Sequence, residues 1–266
     1  MEPTTTKTNF VFDLDGTICF AGKPLSDTIN TALSDLLDLG HAIIFASARP
    51  IRDMLPVIDK RFHHCPMIGG NGSLISIDGQ IVHRFAFSDE VLSQLLTLID
   101  AQQATYLIDS DWDYAYTGPV DHPILQYVDG GGLARKVELA ALPSIVKILI
   151  LTASNMKQVE DQLKGLPVVV HQHRDSPSLD ISPPGITKWS ALSWLGLSEG
   201  SYIAFGNDAN DIEMFRRARY SVMIGHHEQL APYADDRIAV DAVIEQKVAR
   251  RIRLEAEKIT PKKQGF

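Results

Sequence analysis

The sequence has few of the features that mark several large classes of protein. Its 266 residues include only two cysteines, Cys19 and Cys65, and no CxxC pair. This excludes a disulfide framework and a cysteine-rich zinc site, and it fits thiols that stay reduced inside a cell. No apolar run approaches the ~18 residues of a membrane-spanning helix, and the start, MEPTTTKTNF, has no apolar signal core. We therefore expect no membrane partner and a cytoplasmic location.

Basic residues are also too few for a nucleic-acid-binding protein. The chain has 25 Lys and Arg against 33 Asp and Glu, a formal charge of −8. Because affinity for a phosphate backbone needs a basic surface, we expect no nucleic-acid partner. The length is sufficient for one large α/β domain or two smaller ones, each with its own core. No feature of the sequence indicates an oligomeric state.

Alternating strands and helices predict a doubly wound sheet at both ends of the chain. The apolar run 9–13 is typical of a buried parallel strand, and apolar residues at helical spacing over 24–39 predict the next helix. A strand at 41–46 and a helix from Pro50 continue the pattern. It resumes late in the chain, with a helix from Thr187, a strand at 202–205, a helix from Asn210 and a strand at 221–224.

The middle of the chain has a different pattern. A hairpin around Asp78-Gly79 is followed by helices at 90–102 and 155–163 and by short strands, with a loop-rich stretch through 130–132 between them. We therefore predict an α/β protein. Its doubly wound parallel-sheet (Rossmann-like) core is formed by 1–83 and 180–266, and 84–179 form an inserted α+β cap domain.

Ligands of open α/β sheets bind at the carboxyl ends of the strands. The first predicted strand ends in Asp13-Leu-Asp15-Gly-Thr17. Two carboxylates at this spacing can hold Mg²⁺, and an Asp can attack phosphorus while its neighbour handles the leaving-group proton. The alternative is a strand-end turn with solvated acids, which is disfavoured because idle carboxylates beside the apolar run 10–12 would be costly to bury.

Two other strand ends carry residues that suit an anion. Ser47 precedes a helix start, where a hydroxyl and free N–H groups can bind phosphate, although it can equally act as an ordinary helix cap before Pro50. Lys188 lies in the first turn of a helix, where a cation opposes the helix dipole. An anion nearby explains that placement, and a solvated surface lysine is the alternative.

The last strand end is followed by FGNDANDIEMF, which crowds Asn207, Asp208, Asn210 and Asp211 into one loop. Asp208 or Asn210 can simply cap the following helix. Taken with the other strand ends, however, the loop completes a set comprising a nucleophile pair, a hydroxyl, a lysine and metal-binding oxygens. These are the groups that phosphoryl transfer needs.

These residues resemble the haloacid dehalogenase superfamily. Asp13-Leu-Asp15-Gly-Thr17 matches its DxDGT signature, and the inserted cap with Gly70-Asn-Gly72 and the segment 180–188 resembles the Cof-type subfamily (IIB, large α/β cap). The resemblance implies that Asp13 is the nucleophile and a ligand of Mg²⁺. It implies that Asp15 is the general acid and base and lends its main-chain oxygen to the metal. The phosphate-binding groups that it implies are the N–H of Leu14, Ser47, the N–H of Ala48, Lys188 and Asn210.

The sequence departs from the family pattern at two positions. Asn207 stands where the family usually has the metal-binding Asp of Gly-Asp-x-x-Asn-Asp, so Asn207 offers an amide oxygen and one negative charge fewer. Asp211 then matters more to the metal, either directly or through a water. The second departure is Ala48, where the family usually has Gly.

We therefore expect a Mg²⁺-dependent phosphatase that hydrolyses a small phosphorylated metabolite, such as a sugar phosphate, through an aspartyl phosphate. One alternative is a phosphomutase, which would return the phosphoryl group to the substrate. Another is a non-catalytic phosphate-binding regulatory protein, suggested by Asn207. A glycosyltransferase that holds a nucleotide and a metal with Asp13 and Asp15 is disfavoured, because nothing else in the sequence indicates a nucleotide site.

Overall fold

The computed structural model describes residues 7–172 and 178–259. In this part of the chain the strands are, in order, β1 (Asn9–Phe12), β2 (Ala42–Ala46), β3 (Met67–Gly69), β4 (Leu74–Ile77), β5 (Gln80–Arg84), β6 (Thr105–Asp109), β7 (Tyr114–Tyr116), β8 (Lys147–Thr152), β9 (Val169–Gln172), β10 (Leu179–Ser182), β11 (Tyr202–Gly206), β12 (Tyr220–Ile224) and β13 (Asp236–Ile238). The α-helices are α1 (Asp27–Asp38), α2 (Ile51–Met54), α3 (Asp89–Ala101), α4 (Met156–Leu163), α5 (Lys188–Trp194), α6 (Ile212–Arg216) and α7 (Ile244–Ile259).

The larger sheet is the doubly wound core that the sequence predicts. Its strand order is β13-β12-β11-β1-β2-β3-β4-β5. The strands from β13 to β3 are parallel, and β4 and β5 form the predicted hairpin at one edge. Phe10 and Phe12 of β1 pack on the face that α1 and α7 cover, whereas Val11 packs on the face that α5 and α6 cover. Burial on both faces explains why the central strands are continuous apolar runs.

The smaller sheet is an antiparallel layer inserted between β5 and α5. Its strand order is β7-β6-β8-β10-β9. Helices α3 and α4 cover one of its faces, where Leu95 and Val159 pack in the same cluster as Ile148, Ile150 and Ile181. A parallel sheet core with an additional antiparallel cap confirms the predicted fold class.

The sheets divide the chain slightly differently from the sequence prediction. Arg84 ends β5 of the larger sheet, and β10 extends the smaller sheet past the predicted boundary at 179/180. We propose that the cap comprises 85–182, with the core formed by the residues before and after it. The sequence did not indicate β10, because this four-residue strand carries a buried acid and runs into two prolines. Strands β7 and β13 were not predicted either, since three residues show no periodicity.

Two details of the helices differ from the sequence expectation. The segment after Pro50 forms only the four-residue α2. The helix predicted from Asn210 begins as a tight turn over Ala209–Asp211, and the α-helix proper starts at Ile212. Across 7–172 and 178–259, no helix combines the length and apolar character that crossing a bilayer requires.

Candidate active site

The strand ends that carry the predicted site residues meet at one edge of the larger sheet. Asp13 directly follows β1, which lies between β2 and β11. Ser47 follows β2 and Asn207 follows β11, so their loops flank Asp13 on its two sides. Two main-chain hydrogen bonds extend the ladders to this edge. The N–H of Asp13 donates to the carbonyl of Phe205 at 2.9 Å, and the N–H of Ser47 donates to that of Ile68 at 2.8 Å.

Lys188 lies between two carboxylates at the centre of this edge. It is the first residue of α5, and Thr187 caps that helix. Its Nζ lies 2.7 Å from Oδ1 of Asp13 and 2.7 Å from Oδ1 of Asp211, and its side chain is completely buried. A buried ammonium group needs such partners. The anions that explain a lysine in this first helical turn are therefore protein carboxylates.

The three buried charges shift the proton affinities of Asp13 and Lys188. Burial raises the pKa of Asp13 to about 7, and the negative charge of Asp211 adds to this, while Lys188 opposes it. Burial alone would lower the pKa of Lys188, but the Asp13 and Asp211 carboxylates outweigh burial and raise it above its ordinary value. Lys188 therefore stays charged near neutral pH.

Asp211 organises the loop after β11. Its Oδ2 accepts hydrogen bonds from the N–H groups of Asn207 at 2.8 Å and Asp208 at 3.2 Å. A Cβ atom on Gly206 would lie only 2.5 Å from that same oxygen, so the loop closes this tightly only with glycine at 206. Both oxygens of Asp211, which the sequence predicts as a metal ligand, thus contact protein donors.

The turn after Asp13 places Asp15 at the mouth of the site. Gly16 has a φ of +76°, and a Cβ on it would lie 2.1 Å from the Asn207 side-chain amide, so that amide packs directly against the main chain of the turn. Asp15 is half exposed and contacts the guanidinium of Arg49. Thr17 donates from Oγ1 to Oδ2 of Asp13 at 2.8 Å. Thr17 and Lys188 thereby hold one oxygen each of the Asp13 carboxylate.

Hydrogen-bond donors lie in the turn after Asp13 and in the loops on its two sides. Among the described residues, the N–H groups of Leu14 and Ala48 donate to no protein acceptor. Ser47 is buried, and its Oγ accepts from the N–H of Arg49 at 3.1 Å, which leaves its hydroxyl hydrogen for another acceptor. Asn210 is nearly buried and donates one amide hydrogen to Oδ1 of Asn71 at 2.9 Å. Free donors at strand ends beside a buried carboxylate are a setting suited to a phosphate group.

Comparison with known proteins identifies the family. The model of the haloacid dehalogenase-like hydrolases matches residues 10–239. The chain belongs to this family. It is 25% identical over 227 residues to the HMP-PP phosphatase of Enterobacter sp. (strain 638), which covers 81% of this chain and 83% of that protein. The predicted family membership and the expectation of a hydrolase are therefore confirmed.

Solved structures of this family share the fold. The HAD subclass IIB sugar phosphatase BT4131 superposes with a TM-score of 0.74 at 16% identity, over 95% of this chain and 100% of that one. A haloacid dehalogenase-like hydrolase from Bacteroides thetaiotaomicron superposes with a TM-score of 0.74 at 20% identity, over 94% of this chain and 100% of that one. At such low sequence identity, these structures show only that the fold of core and cap is shared.

The donor set of this haloacid dehalogenase-like hydrolase fits Mg²⁺. Within the described ranges, no three His, Cys, Asp or Glu side chains group as a metal site of their own. Mg²⁺ does not need such a group, because it is commonly held by one or two carboxylates with waters and substrate phosphate. Asp13 and Asp211 bring two buried negative charges against the single positive charge of Lys188. A hard cation would balance that excess.

Four residues at the site lie outside the predicted set. Arg49 contacts Asp15, and Asn71 contacts Asn210. Asp180 and Lys147 approach from the cap sheet. Asn71 stands in the segment Gly70-Asn-Gly72 that carries part of the family resemblance, and Arg49 lies two residues after Ser47 in the same loop. Asp180 opens the segment 180–188 that resembles the family, but nothing local indicates that β8 pairs with β10 and brings Lys147 to it.

Proposed function

We propose that this haloacid dehalogenase-like hydrolase is a Mg²⁺-dependent phosphatase of small phosphorylated metabolites. The observation that carries the proposal is the buried Asp13 carboxylate, held by Thr17 and Lys188, with the free N–H groups of Leu14 in the following turn and of Ala48 in a flanking loop. The phosphatase names of its relatives support the same chemistry. A sugar phosphate is one candidate substrate. We also propose a cytoplasmic location, supported by the free and buried thiols of Cys19 and Cys65.

In the first step the Asp13 carboxylate attacks the phosphorus atom of the substrate. A bond forms between phosphorus and the Asp13 oxygen, the bond to the leaving oxygen breaks, and Asp15 gives that oxygen a proton. In the second step a water attacks the phosphorus of the aspartyl phosphate and Asp15 takes its proton. The bond to Asp13 then breaks, which releases inorganic phosphate and restores the Asp13 carboxylate and the protonated Asp15.

The remaining donors would hold the phosphoryl oxygens. The N–H groups of Leu14 and Ala48, the hydroxyl of Ser47 and the second amide hydrogen of Asn210 are available for this. Lys188 has three N–H bonds and uses two on Asp13 and Asp211, which leaves one for phosphate. Such preorganised donors stabilise charge on a transferring phosphoryl group.

The metal would be held by the Asp13 carboxylate, the main-chain oxygen of Asp15 and the amide oxygen of Asn207. We place Asp211 behind these ligands, where it orders the loop, because its Oδ2 already accepts hydrogen bonds from two main-chain N–H groups. When bound, Mg²⁺ would neutralise part of the phosphoryl charge.

The cap would exclude water and select the leaving group. It reaches the core through Lys147, whose Nζ donates to the carbonyl of Ala48 at 2.7 Å, and through Asp109, which pairs with Arg52 at 2.5 Å. Closing a site under a cap commits the substrate and shields the intermediate from bulk water.

A phosphate-release assay tests the proposal. Purified protein is given p-nitrophenyl phosphate and a panel of phosphorylated metabolites, with and without Mg²⁺. We expect release that needs Mg²⁺ and is fastest on one class of metabolite. Conversion of a sugar phosphate into an isomer without release would indicate a phosphomutase. Binding of phosphate with no turnover of any substrate would indicate a non-catalytic phosphate-binding protein, and either result contradicts the proposal.

A further inference from the structure

Asn71 has an unusual backbone at the back of the phosphate-binding groups. It is completely buried and has φ 59° and ψ 20°, the left-handed region that Asn tolerates better than most residues but still at some cost. Its N–H donates to the carbonyl of Ser47 at 3.0 Å. Outliers of this kind cluster where surrounding contacts require them, commonly at functional sites.

The Asn71 side chain joins Asn210 to a carboxylate of the cap. Its Nδ2 donates to Oδ2 of Asp180 at 3.0 Å, and its Oδ1 accepts from Nδ2 of Asn210 at 2.9 Å. A carboxylate can only accept hydrogen bonds, so the amide of Asn71 has to turn its nitrogen toward Asp180 and its oxygen toward Asn210. Asn210 in turn has to present its NH₂ group to Asn71.

The orientation of the Asn210 amide depends on this line of bonds. Within the described parts of the chain, Oδ1 of Asn210 has no hydrogen-bond partner, so the contact with Asn71 sets which way the amide faces. One hydrogen of Nδ2 is used on Asn71, and the other remains for a phosphate oxygen. A flipped amide would place an oxygen there and repel phosphate.

The cap holds the other end of the line. Oδ2 of Asp180 on β10 lies 2.9 Å from Nζ of Lys147 on β8, and both side chains are almost fully buried. Lys147 also donates to the carbonyl of Ala48, the residue after Ser47. A buried ion pair adds little net stability compared with apolar packing. The presence of Lys147 and Asp180 here is therefore better explained by their role in orienting the Asn71 amide.

We propose that Asn71 is a positioning residue whose amide direction is set by the Lys147–Asp180 pair of the cap, so that Asn210 offers N–H to phosphate. The proposal rests on the proposed phosphatase function. It adds that phosphate binding in the core is coupled to the position of the cap, because phosphate binds well only while the cap contributes Asp180.

Inhibition by the product, inorganic phosphate, tests this coupling without involving the leaving group. Asp180→Asn keeps the shape of the side chain but allows the amides of Asn71 and Asn210 to flip. We expect the inhibition constant for phosphate to rise roughly tenfold, which is the effect of one misplaced polar contact. The double variant Asn71→Asp with Asp180→Asn moves the carboxylate one position along the line. The new acid accepts from both amides, and we expect the constant to return to within about threefold of wild type.

Asp109→Asn is the matched control. It weakens a buried ion pair that joins cap to core, Asp109 with Arg52, and this pair does not contact Asn71, Asn210 or Asp180. We expect an inhibition constant within about threefold of wild type. An equal rise in Asp109→Asn and Asp180→Asn would show that general cap docking matters and would overturn the proposal. So would a double variant no better than Asp180→Asn alone.

Asn71→Gly covers the case in which Asp180→Asn does not fold. Glycine adopts the left-handed backbone of Asn71 without strain, so the fold is kept while the hydrogen bonds of the Asn71 side chain to Asp180 and Asn210 are removed. We expect the same roughly tenfold weakening of phosphate inhibition, and an unchanged constant overturns the proposal. A wild-type protein that neither releases nor binds phosphate would instead contradict the proposed function.

Discussion

The guanidinium of Arg49 holds the carboxylate of Asp15 at two points, with Nε to Oδ2 at 2.7 Å and Nη2 to Oδ1 at 2.6 Å. Asp15 itself is 47% exposed, whereas Arg49 is only 13% exposed and also donates to the carbonyl of Asp53 at 3.2 Å. A largely buried, anchored arginine therefore sets the direction of a half-exposed carboxylate. Such forked pairs are geometrically specific, and lysine cannot reproduce them.

Arg49→Lys should slow hydrolysis of alkyl phosphates more than hydrolysis of p-nitrophenyl phosphate. Asp15 is proposed to protonate the leaving oxygen, and a poor leaving group depends on that proton far more than nitrophenolate does. We expect a fall in kcat of about 30-fold for the alkyl ester and under about fivefold for the nitrophenyl ester, as partial loss of an effect that typically contributes 10²–10⁴. Equal losses for both esters would show that Arg49 does not act through Asp15.

Asn207→Asp should strengthen the response to Mg²⁺. The Asn207 amide packs against the Gly16 turn beside Asp13, where the family usually has a carboxylate. Adding one negative charge at a metal ligand raises affinity, and we expect the Mg²⁺ concentration for half-maximal activity to fall about fivefold. Asp208→Asn, a change of charge one position away, is the control. No change in the metal dependence of Asn207→Asp would place residue 207 outside the ligands.

The sequence predicted most of this edge of the sheet, because strand ends are local features. Asp13, Ser47 and Asn207 each follow an apolar run, and parallel pairing brings such ends together. Contacts made across long sequence distances were not predictable in the same way. Lys147 and Asp180 reach the site only through the pairing of β8 with β10, a strand too short and too polar at one position to recognise.

Asp211 shows a subtler difference between sequence and structure. Its position in the loop predicts a metal ligand, and that assignment stays a prediction. In the structure the same carboxylate accepts hydrogen bonds from two main-chain N–H groups and from the Lys188 ammonium group. Spacing indicates which residues can reach a site, but the partner of each oxygen depends on how the loop closes.

Asp53 should make the fold less stable as the pH rises from about 4 to about 6. Its carboxyl group is buried, and burial raises its pKa to about 6 even though Arg52 opposes the shift. A carboxyl whose folded pKa exceeds its unfolded value contributes stability when protonated and loses it as the pH rises between those two values. Asp53→Asn removes this titration. We therefore expect the Tm of Asp53→Asn, relative to wild type, to be higher at about pH 7.5 than at about pH 5. The corresponding difference in the free energy of unfolding is on the order of 1 kcal/mol.

Asp59→Asn is the control for this pH dependence. A hydrogen bond from the Arg61 side chain holds the pKa of Asp59 below its ordinary value, so Asp59 is ionised in both the folded and the unfolded chain above about pH 5. The Tm of Asp59→Asn relative to wild type should therefore be the same at both pH values, whereas that of Asp53→Asn should rise with pH. A Tm difference for Asp53→Asn that does not change with pH would contradict the burial of a titrating charge there.

The central claim is that the Asp13 carboxylate attacks phosphorus. The most direct measurement compares phosphate release by wild type and Asp13→Asn on the same substrate with Mg²⁺, alongside the Tm of both proteins. We predict a fall of at least about 10³-fold, because an amide cannot serve as the nucleophile, with a Tm that shows a folded variant. A folded Asp13→Asn that releases phosphate at the wild-type rate would contradict the account.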